Sequence, residues 1–393
     1  MIENRTILCF ASGYDAPPTS KHHVMHLLAE RNAVLWVNYH ASRTPSTSGS
    51  DLAWAARKLA QVASGLKRQR PNLYTLTPLV APLPSSSAAR RLNRALLVAQ
   101  IRRALATVRR GPLQVWSFTP DIGYLLDDFP AEKVLYYCVD DFASFTGYDR
   151  EQVLRDEADL CRRADLVVTT SRALQDAKAP LNPNTILVPH GVDYEHFARA
   201  VTDDLPVPDD MRGIPHPILG FFGLLRDWVD LDLLAEVARR RPDWHVVLIG
   251  DADSGVNLAA YRSIPNMHFL GRRPYAALPA YCRSFDVGLI PFRLNELTRA
   301  VNPIKLREYL AAGLPVVSTP LPEVATGLRF VHLAEDADST VRALDACLRN
   351  GHSRQERSRT MAAETWPHKL ARICQELEGL SRGAVARAAG TGP

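Results

Sequence analysis

The sequence has few cysteines, six in 393 residues, and Cys9, Cys138, Cys161, Cys282, Cys347 and Cys374 show no CxxC spacing. That argues against a disulfide framework or a cysteine zinc site and fits reduced core thiols in a cytoplasmic protein. No apolar run approaches the roughly 18 residues that a membrane span needs. The charged start leads straight into the apolar run 7–10, so no signal peptide is expected. No G-x-G-x-x-G opens a first βα turn and no G-x-x-x-x-G-K-S/T occurs, which argues against a dehydrogenase and a P-loop ATPase. The most basic segment lacks the interleaved aromatics of a stacking surface, so no nucleic-acid partner is expected.

What is present is the composition of a soluble globular protein, 46% apolar and 23% charged. The length suits two α/β domains rather than one core. Charge is uneven. Residues 41–110 hold thirteen Lys and Arg against the single acid Asp51, a local +12 that leaves the rest of the chain at −7. Such a segment suggests an anionic partner for that face.

Short β-rich runs alternate with helical spacing for most of the chain. Strands are expected at 6–10, 33–38, 113–118, 133–138, 165–170 and 185–189. A second series is expected at 217–222, 244–249, 267–270, 286–291, 315–319 and 330–333. Helices between strands imply parallel sheets wound by crossovers. The expected fold is α/β: two doubly wound, Rossmann-like domains facing a central cleft, with ligands at the carboxyl ends of strands. The first spans 1–197, the Pro- and Asp-rich stretch 197–216 reads as a linker, and the second spans 206–365. Residues 366–393 read as a helix that returns to the first domain, followed by a frayed tail.

The most informative stretch is 286–319, DVGLIPFRLNELTRAVNPIKLREYLAAGLPVVST. A buried strand runs into a polar loop and then a helix starting near Pro303, a favoured first-turn residue. Lys305 and Glu308, three apart, share a face near that helix's N-terminus. A helix N-terminus with a lysine beside it suits a diphosphate, and a carboxylate one turn on can accept two hydroxyl hydrogen bonds. The plain alternative is a solvated Lys/Glu pair.

This stretch resembles the nucleotide-sugar site of family 4-like (group 1) GT-B glycosyltransferases. It is most similar to the "NPxKxxEYLAxGxPVVS" pattern of the teichuronic-acid and exopolysaccharide glycosyltransferases. The resemblance implies that Glu308 holds the donor ribose and Lys305 its phosphates. Family members commonly carry a glutamate near the donor sugar where this chain has Ala300; Glu296 and Asn302 are the candidate substitutes. FFGLLRDWVDL at 221–231 is similar to the family's glycine turn, with Gly223 against the phosphates and Arg226 as a charge clamp. The family's lysine there is replaced by Asp227, Trp228 and Asp230. VVLIGD at 246–251 and FLGRRP at 269–274 match two further edges, Arg273 being placed to stack on a base. VPHGVDYEHF at 188–197 resembles the family's "PNGVDxxxF", with His190 in place of Asn.

On the N-terminal side, ASGYDAPPTSKHHVMH at 11–26 occupies the position of the family's glycine loop. Gly13, Asp15, His22 and His23 are candidates there; packing is the alternative for each histidine. LYYCVDDF at 135–142 delivers two carboxylates at a strand's end. Neighbours on an extended chain point opposite ways, so one of Asp140 and Asp141 faces a ligand and can act as general base. A helix cap or loop hydrogen bond is the alternative.

The resemblance therefore implies a glycosyltransferase of hexosyltransferase type. It would use a nucleoside diphosphate sugar, UDP-linked, and a glycan or lipid-linked oligosaccharide acceptor in cell-surface polysaccharide assembly. Asp251 and Asp253 imitate a metal-binding DxD, but the family does without one, so no metal and no cofactor are expected. A nucleotide-sugar 2-epimerase and a non-catalytic scaffold of the same fold remain alternatives. Stretches 54–70 and 88–110 mix basic residues with Leu, Val and Ala at helical spacing. Arg90, Arg91, Arg94, Arg102, Arg103, Arg109 and Arg110 crowd the second, and Leu92, Leu96, Leu97, Ile101 and Leu105 could form an apolar side. Such a helix suits an anionic membrane surface, placing the protein peripherally on the inner face of the cell membrane. A helix packed on the N-terminal sheet is the alternative.

Overall fold

The computed structural model describes residues 1–39, 65–79, 87–253 and 255–380. The chain divides into two compact units. One takes Met1–Pro189 and the chain from Lys369 onward; the other is His190–His368. The boundary falls ahead of the expected 197. Val192 bridges Thr365, and Phe197 and Met211 belong to the second unit's core, so 197–216 is part of that unit and not a free linker.

The first unit is an eight-stranded sheet in the order β3-β4-β2-β1-β5-β6-β7-β8. Its strands are β1 (Thr6–Ala11), β2 (Ala33–Asn38), β3 (Leu66–Arg70), β4 (Leu73–Leu76), β5 (Leu113–Ser117), β6 (Lys133–Cys138), β7 (Leu166–Thr169) and β8 (Thr185–Leu187). All pairs are parallel except β3 with β4. Strands β1, β5 and β7 are buried along their whole length, as a sheet covered on both faces requires. The crossing helices are α1 (Ser20–Ala29), α2 (Ser87–Val108), α3 (Arg150–Arg163) and α4 (Arg172–Lys178). Side chains start two of them: Asp149 accepts from the Gln152 amide and Ser171 from that of Leu174. β1 lies between β2 and β5, so the strand order reverses there, and the loop after β1 sits at a topological switch point.

Two expectations about the basic segment need correction. Of the helix expected over 54–70, the described part, from Gly65 on, is strand β3 paired antiparallel with β4. The Lys67-Arg68-Gln69-Arg70 run keeps this edge strand charged and solvated, a common protection of a sheet edge. The second stretch is helical as α2. However, Leu97, Ile101 and Leu105 are buried in the first unit's core, leaving only Leu92 and Leu96 exposed. The proposed apolar side therefore faces mainly protein. The expected frayed tail over 381–393, the segment 54–64 and the Arg90 side chain lie outside the described residues.

The second unit is a six-stranded parallel sheet, β11-β10-β9-β12-β13-β14. Its strands are β9 (Ile218–Phe222), β10 (His245–Ile249), β11 (Met267–Gly271), β12 (Val287–Ile290), β13 (Val316–Ser318) and β14 (Val331–Leu333). Of its helices, α5 (Leu231–Arg240), α6 (Ile304–Ala311) and α7 (Ala337–Arg349) matter most here. Asp230 and Asp336 cap α5 and α7. β9 lies between β10 and β12, so the switch point of this sheet is at Phe222–Gly223. No helix among the described residues is long and apolar enough to cross a membrane.

Candidate functional site

In the second unit two glycine turns meet at the carboxyl ends of β9 and β10. Gly223 has φ +141° and Gly250 φ +147°, conformations that side-chain-bearing residues rarely adopt. A Cβ on Gly250 would stand 1.9 Å from the Gly223 carbonyl oxygen, and one on Gly223 would stand 2.3 Å from Lys305 Cε. The two turns and the Lys305 side chain are thus packed together. The Phe222 amide donates to Tyr309 Oη at 3.0 Å, which fixes the end of β9 to α6.

Lys305 lies in the first turn of α6, its ammonium 5.6 Å from the Phe221 ring and 5.9 Å from the Phe292 ring. Burial pulls its pKa down, and Glu308 opposes that shift. Glu308 is 6% exposed. Burial raises its carboxyl to about 7; Lys305 pulls it back and Asp193 pushes it further up. Neither side chain has a hydrogen bond or an ion pair within 4.0 Å among the described residues. A half-buried lysine and a buried carboxylate, neither with a hydrogen bond or ion pair among the described residues, lie beside two glycine turns and suit a ligand with an anionic end and hydroxyls.

The other expected donor residues are held in different ways. Arg226 Nε stands 3.2 Å from Asp253 Oδ2, with its guanidinium 5.2 Å from the Trp228 ring. Backbone bonds between Leu225 and Asp251 and between Asp253 and Leu225 join the two loops. Asn302 accepts from Arg307 at 2.7 Å and donates to Glu323 at 3.1 Å, so its amide braces the loop before α6. Arg273 is engaged by Asp210 at 2.6 Å and by the Tyr281 hydroxyl at 2.9 Å. Ala300 is buried and caps the C-terminal end of a short helix.

In the first unit the loop after β1 leads to α1. Gly13 has open space where a Cβ would stand, so nothing in its own surroundings demands glycine. His22, expected as a catalytic candidate, is corrected to a capping residue. Its Nδ1 accepts from the Thr19 amide at 3.1 Å and its Nε2 donates to the Tyr14 carbonyl at 3.0 Å. The ring rests against Trp36, and burial lowers its pKa to about 4, so it stays neutral with both nitrogens occupied.

Asp140 and Asp141 follow β6 and separate cleanly. Asp141 Oδ2 accepts from Ser144 Oγ at 2.5 Å and starts a short 3-10 turn. The Asp140 carboxylate accepts no hydrogen bond among the described residues, while its backbone carbonyl accepts from Cys138 Sγ at 3.6 Å. Burial raises its carboxyl to about 7, Lys21 acting to lower it and Asp141 to raise it. Behind this strand end, the buried Glu157 carboxylate meets Lys178 at 2.5 Å and Tyr136 Oη at 2.6 Å. Neither Lys21 nor this ion pair was singled out in the sequence, because a helical lysine carries no signature without its tertiary neighbours.

Each sheet thus carries its candidate groups at the carboxyl ends of its strands. Residues 216–350 match the family model described as Glycosyl transferases group 1. Over 249 residues the chain is 28% identical to the putative teichuronic acid biosynthesis glycosyltransferase TuaH of Bacillus subtilis. That match takes in 59% of this chain and 62% of the relative's length. Among solved structures, Anabaena HepE in complex with UDP aligns with a TM-score of 0.63 at 15% identity, over 96% of this chain and 100% of that one. The sucrose-phosphate synthase of Thermosynechococcus elongatus aligns with a TM-score of 0.65 at 16% identity, over 94% and 98%. The chain has the GT-B fold, and its residues 216–350 are similar to the group 1 glycosyltransferases.

Proposed function

We propose that the protein transfers a hexosyl group from a UDP-sugar to a hydroxyl of a glycan or lipid-linked oligosaccharide during cell-surface polysaccharide assembly. The observation that carries this reading is the half-buried Lys305, packed against the Gly223 turn, with the buried Glu308 one turn on, neither holding a hydrogen bond or ion pair among the described residues. In this reading Glu308 accepts hydrogen bonds from the ribose hydroxyls. Lys305 and the N-terminus of α6 face the diphosphate and stabilise the charge that grows as the anomeric C–O bond breaks. Asp140 takes the proton of the acceptor hydroxyl as its oxygen bonds to the anomeric carbon, and UDP departs with the electron pair. Arg226 is placed to reinforce the phosphate end; Arg273 is assigned to holding its own loop against Asp210.

UDP should raise the unfolding midpoint of the protein. Glu308→Ala should weaken UDP binding by about 1–3 kcal/mol through lost charged hydrogen bonds, read by titration calorimetry. Unchanged UDP affinity in that variant would remove Glu308 from the site. Consumption of a UDP-sugar without an acceptor, giving an isomerised sugar nucleotide, would instead favour an epimerase. The acceptor is assigned to the cytoplasmic face of a membrane, on the strength of the exposed Arg91, Arg102, Arg103, Arg109 and Arg110 and the exposed Leu92 and Leu96 on or beside α2.

A further inference from the structure

We propose that Thr170 is a positioning residue for Asp140, its buried hydroxyl fixing the peptide group that carries that carboxylate; this rests on Asp140 being the base of the transfer. Strand β6 pairs with β7 from Leu135 opposite Leu166 to Cys138 opposite Thr169, and the pairing stops there. Val139 and Asp140 lie beyond it, where the strand ladder no longer sets the direction of the chain. The Thr170 side chain takes over at that point, its Oγ1 donating to the Val139 carbonyl at 3.1 Å. This carbonyl belongs to the same planar peptide group as the Asp140 nitrogen, so the bond orients the plane from which the Asp140 Cα emerges. The donor is itself well held. Thr170 sits between the end of β7 and Ser171, whose side chain caps α4, and it is fully buried.

A second, weaker hold lies on the other side of Asp140. The buried Cys138 thiol is 3.6 Å from the Asp140 carbonyl oxygen and 3.6 Å from Glu157 Oε1. One S–H serves one acceptor at a time and is a poor donor, so the threonine hydroxyl is the firmer anchor. Asp141, next in the chain, is engaged by Ser144. The main-chain carbonyls before and after the Asp140 Cα are thus each met by a buried side chain, while the Asp140 carboxylate accepts no hydrogen bond among the described residues. A base needs that combination of a fixed backbone and open lone pairs. A hydroxyl that merely satisfied a buried carbonyl would affect stability; one that aims Asp140 affects turnover, and only through Asp140.

The test is a double-substitution cycle on the full chain. Thr170→Val keeps the shape and deletes the donor, whereas Thr170→Ser keeps the donor. The rate read is UDP release from UDP-glucose, UDP-galactose or UDP-glucuronate, with water as the acceptor hydroxyl. Thr170→Val alone should lower it by roughly tenfold or more with UDP affinity unchanged, and Thr170→Ser should recover most of the loss. On an Asp140→Asn background Thr170→Val should lower it no further, because no base is left to aim. The carbon-13 signal of the Asp140 carboxyl, identified by its loss in Asp140→Asn, should shift or broaden in Thr170→Val and return in Thr170→Ser. Equal losses of rate on both backgrounds, or an Asp140 signal untouched by Thr170→Val, would overturn the proposal. If Thr170→Val does not fold, Thr170→Cys, a weaker donor of similar size, replaces it in the cycle under the same criteria. A wild-type rate in Asp140→Asn alone would sink the base assignment and this proposal with it. Additive losses on a slow Asp140→Asn would spare the base and sink Thr170 alone. If none of the three sugar nucleotides is consumed, the carboxyl signal decides.

Discussion

At the scale of single residues, chemistry was legible where type and spacing coincide and illegible where the fold decides. Lys305 and Glu308 could be read because a helix start fixes the face of residues three apart. The Asp140–Asp141 pair could be read as a pair but not divided, since the division depends on Ser144 closing a turn onto Asp141. His22 read as chemistry and is a cap, because its two nitrogen partners, the Thr19 amide and the Tyr14 carbonyl, are backbone groups with no sequence signature. The division of the aspartates makes a prediction. Asp140→Asn keeps shape and removes basicity, so turnover should fall by roughly 10²–10⁴ with donor affinity nearly unchanged. Asp141→Asn should keep most turnover, since an amide oxygen still accepts from Ser144. Steady-state rates of the two variants decide it, and the opposite order would exchange their roles.

At the scale of elements, the apolar strands were legible because sheets covered on both faces need continuous apolar runs, as in Ile7–Ala11 and Val246–Ile249. The β3–β4 hairpin was not, because its outer strand is charged and its turn rests on Asn72 at φ +61°, a conformation not visible in composition. Element α2 shows the same limit. Its periodicity was right, but periodicity cannot say whether the apolar stripe meets a sheet or a lipid. Leu97, Ile101 and Leu105 meet the core, which leaves a solvated face dominated by arginine. Membrane binding through this helix should then be electrostatic. The protein should co-sediment with anionic liposomes at low salt and come off as ionic strength shortens the screening length. Arg91, Arg103 and Arg109 reversed to Glu should abolish that binding and leave UDP affinity intact. Equal partitioning onto neutral vesicles would contradict a charge-driven surface.

At the scale of the whole molecule, the described residues of each unit include a desolvated carboxyl without a hydrogen-bond partner, Asp140 in the first and Glu308 in the second, each raised by burial to about 7. Such groups set a cost that depends on pH. Their ordinary values are 3.8 and 4.5, so between those values and 7 the native state binds more protons than the unfolded chain. Stability from these groups is therefore present at low pH and lost as pH rises through 7. For Glu308, 6% exposed, a rise from 4.5 to about 7 corresponds to a cost on the order of 3 kcal/mol once ionised. The two carboxyls share no charge partner, since Asp140 responds to Lys21 and Asp141 and Glu308 to Lys305 and Asp193. Their effects should consequently belong to separate units. Hydrogen exchange at pH 8 should show Glu308→Gln slowing exchange in β9, β10 and β12, and Asp140→Asn slowing it in β1, β5 and β6. Both gains should shrink towards pH 4.5, where the native wild-type carboxyls are protonated and carry no charge to desolvate. A gain that persists unchanged at pH 4.5 would mean that the substitutions act through packing and that these carboxyls are not held out of water. Were that so, the ligand cradle in the second unit and the poised base in the first would lose their shared physical basis: charge kept desolvated in advance of binding.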